Sequence, residues 1–101
     1  MYTRLISYLF LFSILRSDSL TVSGTVHNDS GKEVKKAHVT LRNLQDEILF
    51  EDKTDRKGKF LLEDIEPNFY YLVVEHEEQG FSRVKLNPRK TRNRDLILRL
   101  E

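Results

Sequence analysis

Thr54-Asp55-Arg56-Lys57-Gly58-Lys59-Phe60 reads as a tight turn that hands the chain directly to a β-strand. The Asp55 carboxylate is placed to accept backbone N–H groups two residues on, as in an Asx-turn. Gly58 supplies the positive φ that closes such a turn. Lys59 and Phe60 then begin an alternation of exposed and buried positions.

The same period of two runs outward in both directions. Upstream, Leu20, Val22, Gly24 and Val26 alternate with Thr21, Ser23, Thr25 and His27, and Asn28-Asp29-Ser30-Gly31-Lys32 follows as a turn cluster. Ala37, Val39 and Leu41 alternate with His38, Thr40 and Arg42. Residues 43–46 turn the chain, and 48–53 form a strand with less regular alternation. Downstream, the strand begun at Lys59 reaches Glu63. Glu66-Pro67-Asn68 interrupts the chain before 69–74 (FYYLVV), apolar on both faces as a central strand requires. A further strand spans 80–86, a polar loop 87–94, and Leu96, Leu98 and Leu100 alternate with Ile97, Arg99 and Glu101. About seven short strands with turn signals every 8–12 residues or so predict an all-β sandwich.

Residues 1–19 differ from the rest. Arg4 precedes an apolar run over 5–15 (LISYLFLFSIL), and Ser17-Asp18-Ser19 offers small residues before a cut at Leu20. This is the anatomy of a signal peptide, although Arg16 sits between the run and the cut. The competing readings are a buried N-terminal helix and an interfacial anchor. The run falls short of the roughly 20 apolar residues of a transmembrane helix. The expected organisation is an N-terminal apolar segment over 1–19 and one domain over 20–101. A domain of roughly 80 residues buries about 60–65% of its unfolded surface.

Apolar residues make up 39% of the chain and charged residues 33%, a globular balance. The formal net charge of +1 gives no global attraction to nucleic acid or membrane. With no cysteine, disulfide frameworks, thiol nucleophiles and thiolate zinc sites are excluded.

The ordered pieces resemble a known family. Val22-Ser23-Gly24-Thr25-Val26 is similar to its opening strand, and Ala37-His38-Val39-Thr40-Leu41 to its A-x-V-x-L strand. The stretch 54–60 resembles its T-D-x-x-G-x-F turn. Ile65-Glu66-Pro67-Asn68-Phe69-Tyr70-Tyr71-Leu72-Val73-Val74 resembles its l-x-P-G-x-Y-x-L-x-V segment, with Asn68 where glycine is usual; Asn tolerates the left-handed conformation that position needs. Gly80-Phe81 matches the pair that follows. The resemblance, over 20–101, is to the carboxypeptidase regulatory-like domain, a prealbumin-like (transthyretin-like) sandwich related to collagen-adhesin B-type repeats. It implies a seven-stranded Greek-key β-sandwich without catalysis of its own, used beside peptidases, transporters or adhesins for stability and interaction. Thr54, Asp55, Gly58 and Phe60 then read as structural turn residues.

Other chemistry finds little support. His27, His38 and His76 show no ligand-pair spacing. Asp29, Glu51, Asp52 and Asp55 could be an oxygen cage for calcium, but they lack the EF-hand pattern and Asp55 already has a turn role. The lysine that an adhesin-type isopeptide bond needs is missing from the first strand. A nucleophilic serine lacks an elbow motif. No catalytic residue, cofactor or metal is therefore expected.

Two surfaces remain. Phe69, Tyr71 and Val73 face away from the core formed by Phe60, Leu62, Tyr70, Leu72 and Val74. They form either a second buried face or a protein-binding stripe. Arg89, Lys90, Arg92 and Arg94, preceded by Arg83 and Lys85, form a basic segment after an acidic one. It reads as a solvated charged surface or as a contact for a polyanion such as anionic lipid or polysaccharide. Nucleic acid is disfavoured because no aromatic is interleaved. The leading expectation is a non-catalytic, secreted or periplasmic module that binds an envelope or extracellular protein. The alternatives are a carbohydrate or small-molecule binder, weakened by the lack of tryptophan, and a transthyretin-related hydrolase.

Overall fold

A computed structural model describes residues 19–89 and 93–101. Most of the apolar N-terminal segment (1–18), with the proposed signal peptide, and Lys90, Thr91 and Arg92 lie outside the described residues.

Seven strands follow in chain order: β1 (Leu20–His27), β2 (His38–Arg42), β3 (Ile48–Lys53), β4 (Lys59–Ile65), β5 (Tyr70–His76), β6 (Gly80–Leu86) and β7 (Leu96–Arg99). They form a three-stranded sheet in the order β4-β1-β7 and a four-stranded sheet in the order β3-β2-β5-β6. Among the described residues, only β2–β3 and β5–β6 are hairpins within one sheet. Every other connection crosses between sheets, giving the expected all-β sandwich. β1 pairs antiparallel with β4 and parallel with β7.

Alternation explains the packing. Val22 and Val26 of β1, Phe60 and Leu62 of β4, and Leu98 of β7 face Val39 and Leu41 of β2, Leu72 and Val74 of β5, and Leu86 of β6. Two slips in the alternation have local causes. Val22 pairs with Leu62 but Leu20 with Ile65, so β4 carries an extra residue. Asp64 takes a left-handed φ of 58° there and returns Ile65 to the core, carrying β4 past Glu63. A second irregularity sets Arg42 against Ile48 and Leu41 against Phe50, which accounts for the uneven pattern of β3.

Three loops share one bonding scheme. The Oδ1 atoms of Asn28, Asn43 and Asp55 each accept two backbone N–H groups, from the residues two and four positions on, at 2.8–2.9 Å. Each of these residues also exchanges backbone bonds within its loop, and the fourth residue is left-handed: Gly31 (φ 86°), Asp46 (70°) and Gly58 (76°). The short side chain satisfies amides that a tight turn would otherwise leave open.

The 54–60 stretch does more than turn. The Gly58 carbonyl accepts the Val26 N–H at 2.8 Å, and a Cβ on Gly58 would lie 2.7 Å from the Val26 oxygen. Thr54 is buried, and its hydroxyl donates to the Val34 carbonyl (2.7 Å) while accepting the Ala37 N–H (2.8 Å). The turn therefore locks the β1–β2 connection onto the β3–β4 connection, and Phe60 enters the core with Tyr70.

Candidate functional site

The outer face of the four-stranded sheet is tiled in rows set by register. One row runs Lys53, His38, Glu75, Phe81; the next Glu51, Thr40, Val73, Arg83; the third Ile48, Arg42, Tyr71, Lys85. Phe69 precedes β5 beside the third row and is 41% exposed, and Tyr71 is half-buried. The Arg83 guanidinium carbon sits 4.0 Å from the Tyr71 ring centroid, and Lys85 Nζ lies 5.6 Å from that of Phe69. These are cation–π distances. Two cations of β6 thus lean inward over two aromatic rings.

Val73 shares this face but is buried at 3% exposure, so the stripe of Phe69, Tyr71 and Val73 is interrupted. Arg42 lies in the neighbouring row. Its Nε donates to Thr40 Oγ1 at 3.0 Å, and its two terminal nitrogens reach Asp46 (3.2 Å) and Glu75 (3.4 Å). Its bonds to Thr40 and Glu75 carry the guanidinium across the row that holds Thr40 and Val73.

Of the basic segment, Arg89 and Arg94 are exposed. Arg89 follows β6, its N–H held by Asn87 Oδ1 at 2.9 Å, and so continues the end of the sheet where Tyr71 and Lys85 lie. Arg94 sits between two anchors on β1: the Asn93 carbonyl accepts the Ser23 N–H at 3.0 Å, and the Asp95 N–H is bound by Ser23 Oγ at 3.1 Å. The structure therefore separates the two arginines, one following β6 and the other tied to β1. Lys90 and Arg92 lie outside the described residues.

The opposite end of the sheet carries a groove lined by Lys36, His38, Lys53, Glu75, His76 and Phe81, among others. Both of its histidines, and two carboxylates of the neighbouring 52–55 segment, already have partners. His38 Nε2 meets Glu51 Oε1 at 2.7 Å. His76 Nδ1 accepts the N–H groups of Glu78 (3.1 Å) and Gln79 (3.2 Å), which shapes the β5–β6 turn. Asp52 accepts the Lys53 N–H with one oxygen and the β4 Leu61 N–H with the other. Asp55 is occupied within its own turn; the Lys59 and Lys57 N–H bonds hold its carboxyl below the usual aspartate value. Among the described residues no group of three or more His, Asp or Glu side chains is arranged to hold a metal ion.

Tyr70 has a structural partner too. Its hydroxyl donates to the Glu66 carbonyl and clamps the 66–70 turn. Burial, and then the Glu66 charge, pushes the phenol above its ordinary value.

The family's sequence model matches residues 21–99, from the second residue of β1 to the last of β7. The chain belongs to the carboxypeptidase regulatory-like domain family. No curated protein matches the chain in sequence. The family is non-catalytic, and in this member the structural turn residues Thr54, Asp55, Gly58 and Phe60 are all used internally. The sequence shows Arg83 and Lys85 only as charges near a basic loop. Their stacking on Tyr71 and Phe69 depends on the β5–β6 register, and alternation within one strand carries no signal for it.

Proposed function

We propose that this regulatory-like domain is a non-catalytic, exported module that binds a protein partner through the basic, aromatic-backed strip of its four-stranded sheet. The observation that carries the reading is the pair of stacked cations, Arg83 over Tyr71 and Lys85 over Phe69. A guanidinium held by a ring loses less freedom on binding a carboxylate than a free one does. The stacking also occupies ring faces that a sugar would need, which favours an acidic polypeptide over a carbohydrate. Export is supported by the signal-peptide pattern of residues 1–19.

Site-specific photo-crosslinking in an envelope fraction tests this reading. A photoreactive residue at position 85 is expected to capture a partner that one at position 97, on the other sheet, does not. Identical captures from the two positions would refute the assignment of the strip. Recovery of the chain in the exported fraction, cut before Leu20, is the expected outcome for export; retention of the uncut chain in the cytoplasm would contradict it.

A further inference from the structure

We infer that β6 is a docking edge for an extended acidic segment of the partner, which adds to the four-stranded sheet as a further strand. The inference rests on the interaction reading above and names the mode and chemistry of the contact.

β6 is an outermost strand of its sheet. Its pairing with β5 runs from Tyr70–Leu86 to His76–Gly80 without a bulge, and its sequence has no proline. Bulges and prolines are the usual devices that blunt an edge, and β6 lacks both. The edge already forms strand-like bonds at one end. Phe81 and Glu101 exchange both backbone hydrogen bonds, Phe81 N–H to Glu101 carbonyl at 3.2 Å and the reverse at 3.1 Å. The outward direction of the Phe81 N–H fixes that of the next two alternate residues, so the Arg83 and Lys85 amides also point off the edge.

Two of the other edges, β4 and β3, are less suited to an acidic segment, and β7 is only four residues long with a single cation. On β4, the Leu61 N–H is taken by Asp52 Oδ2 at 2.9 Å. On β3, Glu51 and Asp52 and the preceding Glu47 would repel acidic side chains. β6 carries no acidic residue and two cations. Edge lysines often guard against strand addition, but here Arg83 and Lys85 lean inward over Tyr71 and Phe69. They leave the backbone edge open while keeping positive charge on the outer face. A strand laid beside β6 with acidic residues at alternate positions would set its carboxylates against Arg83 and Lys85, and Arg89 extends the positive charge beyond Leu86.

The probe is a blocked seven-residue peptide alternating glutamate with valine, titrated into the isotope-labelled full chain and followed by amide NMR. The largest shifts, with slowed hydrogen exchange, are expected at the Arg83 and Lys85 amides. Replacing glutamate by lysine in the peptide, or N-methylating its edge-facing amides, should weaken binding at least tenfold. The double variant Arg83→Glu/Lys85→Glu should reverse the preference toward the lysine peptide. Undiminished binding of the N-methylated peptide, with shifts confined to the sheet face, would overturn the edge mode while leaving the face reading intact. Failure of every peptide to bind, or stronger shifts of the same residues by phosphatidylglycerol vesicles than by the acidic peptide, would overturn the proposal altogether.

Discussion

Replacing Thr54 by valine removes a hydroxyl and leaves the shape of the side chain almost unchanged. Thr54 is 4% exposed, and its partners Val34 and Ala37 are buried at 3% and 0%. The hydroxyl satisfies the Val34 carbonyl at 2.7 Å and the Ala37 N–H at 2.8 Å, and valine can satisfy neither. Each orphaned buried group costs about 1–3 kcal/mol. The added buried methyl returns about 1 kcal/mol, so the net loss is about 3 kcal/mol. Thr54→Ser keeps both bonds and loses one methyl, for about 1 kcal/mol. In a domain of roughly 80 residues each kcal/mol moves Tm by about 4–8 °C. Thr54→Val should therefore melt about 12–24 °C below the wild type, with Thr54→Ser between them. Urea unfolding followed by far-ultraviolet circular dichroism measures both losses, with the m value unchanged. Hydrogen exchange adds a local readout, because the Ala37 amide should lose protection in Thr54→Val and keep it in Thr54→Ser. A valine variant as stable as the serine variant would show that the 34–37 segment is held by packing alone, and the argument from the hydroxyl would fail.

Three further outcomes follow from the loops and the Tyr70 clamp. Gly31 and Gly58 hold equivalent left-handed positions, but a Cβ meets nothing within 4 Å at Gly31 and the Val26 oxygen at 2.7 Å at Gly58. Gly31→Ala should cost about 1 kcal/mol and Gly58→Ala about 3 kcal/mol in denaturant unfolding, and equal costs would contradict the contact. Asp55 has a folded-state pKa below its unfolded value, so its stabilisation is complete above the unfolded value of 3.8 and disappears as pH falls through the folded one. Asp55→Asn, which can accept the same two N–H bonds as Asn28 and Asn43, should flatten the acid limb of a Tm-against-pH curve; an unchanged limb would show that other carboxylates dominate it. Tyr70 is raised, so its contribution is complete below its unfolded value of 10.0 and is lost as pH rises through the folded value. Tyr70→Phe should cost about 1 kcal/mol at neutral pH and shallow the alkaline limb, and a neutral-pH stability equal to the wild type would remove the clamp from the account.

The fold is legible in the sequence because strands buried on one face must alternate, and the alternation sets β1 and β6 at their observed ends, while the turn signals on either side bound β3. The slips are physical. β4 continues past Glu63 because Asp64 adopts a left-handed bulge, which returns Ile65 to the core against the expected phase. Thr54 reads as part of a turn, but its clasp on Val34 and Ala37 spans chain separations of 20 and 17 residues, beyond the reach of local pattern. The candidate surface is less legible for the same reason. Val73 has the phase of an exposed residue, yet in the folded sheet it is buried. Arg83 and Lys85 gain their meaning only from the residues that register sets beside them.

The two ends of the four-stranded sheet divide the work. Near the row through Lys53, His38 and Glu75, the Thr54 hydroxyl, the Asp52 and Asp55 carboxylates and His76 Nδ1 all bind backbone amides, carbonyls or both. A ligand there would have to break bonds that hold the fold, so affinity at that end would come at the cost of stability. Near the row through Arg42, Tyr71 and Lys85, the β6 cations are held by ring stacking, which positions a charge without consuming it. An incoming carboxylate can bind Arg83 or Lys85 while the ring remains in place. The end that can recognise a partner without loss of structure is therefore the stacked end, and β6 joins that end to a regular backbone edge. Under the proposed reading, such a surface would change its partner by changing the charges of β6, while the interlocked 54–60 turn keeps the frame the same.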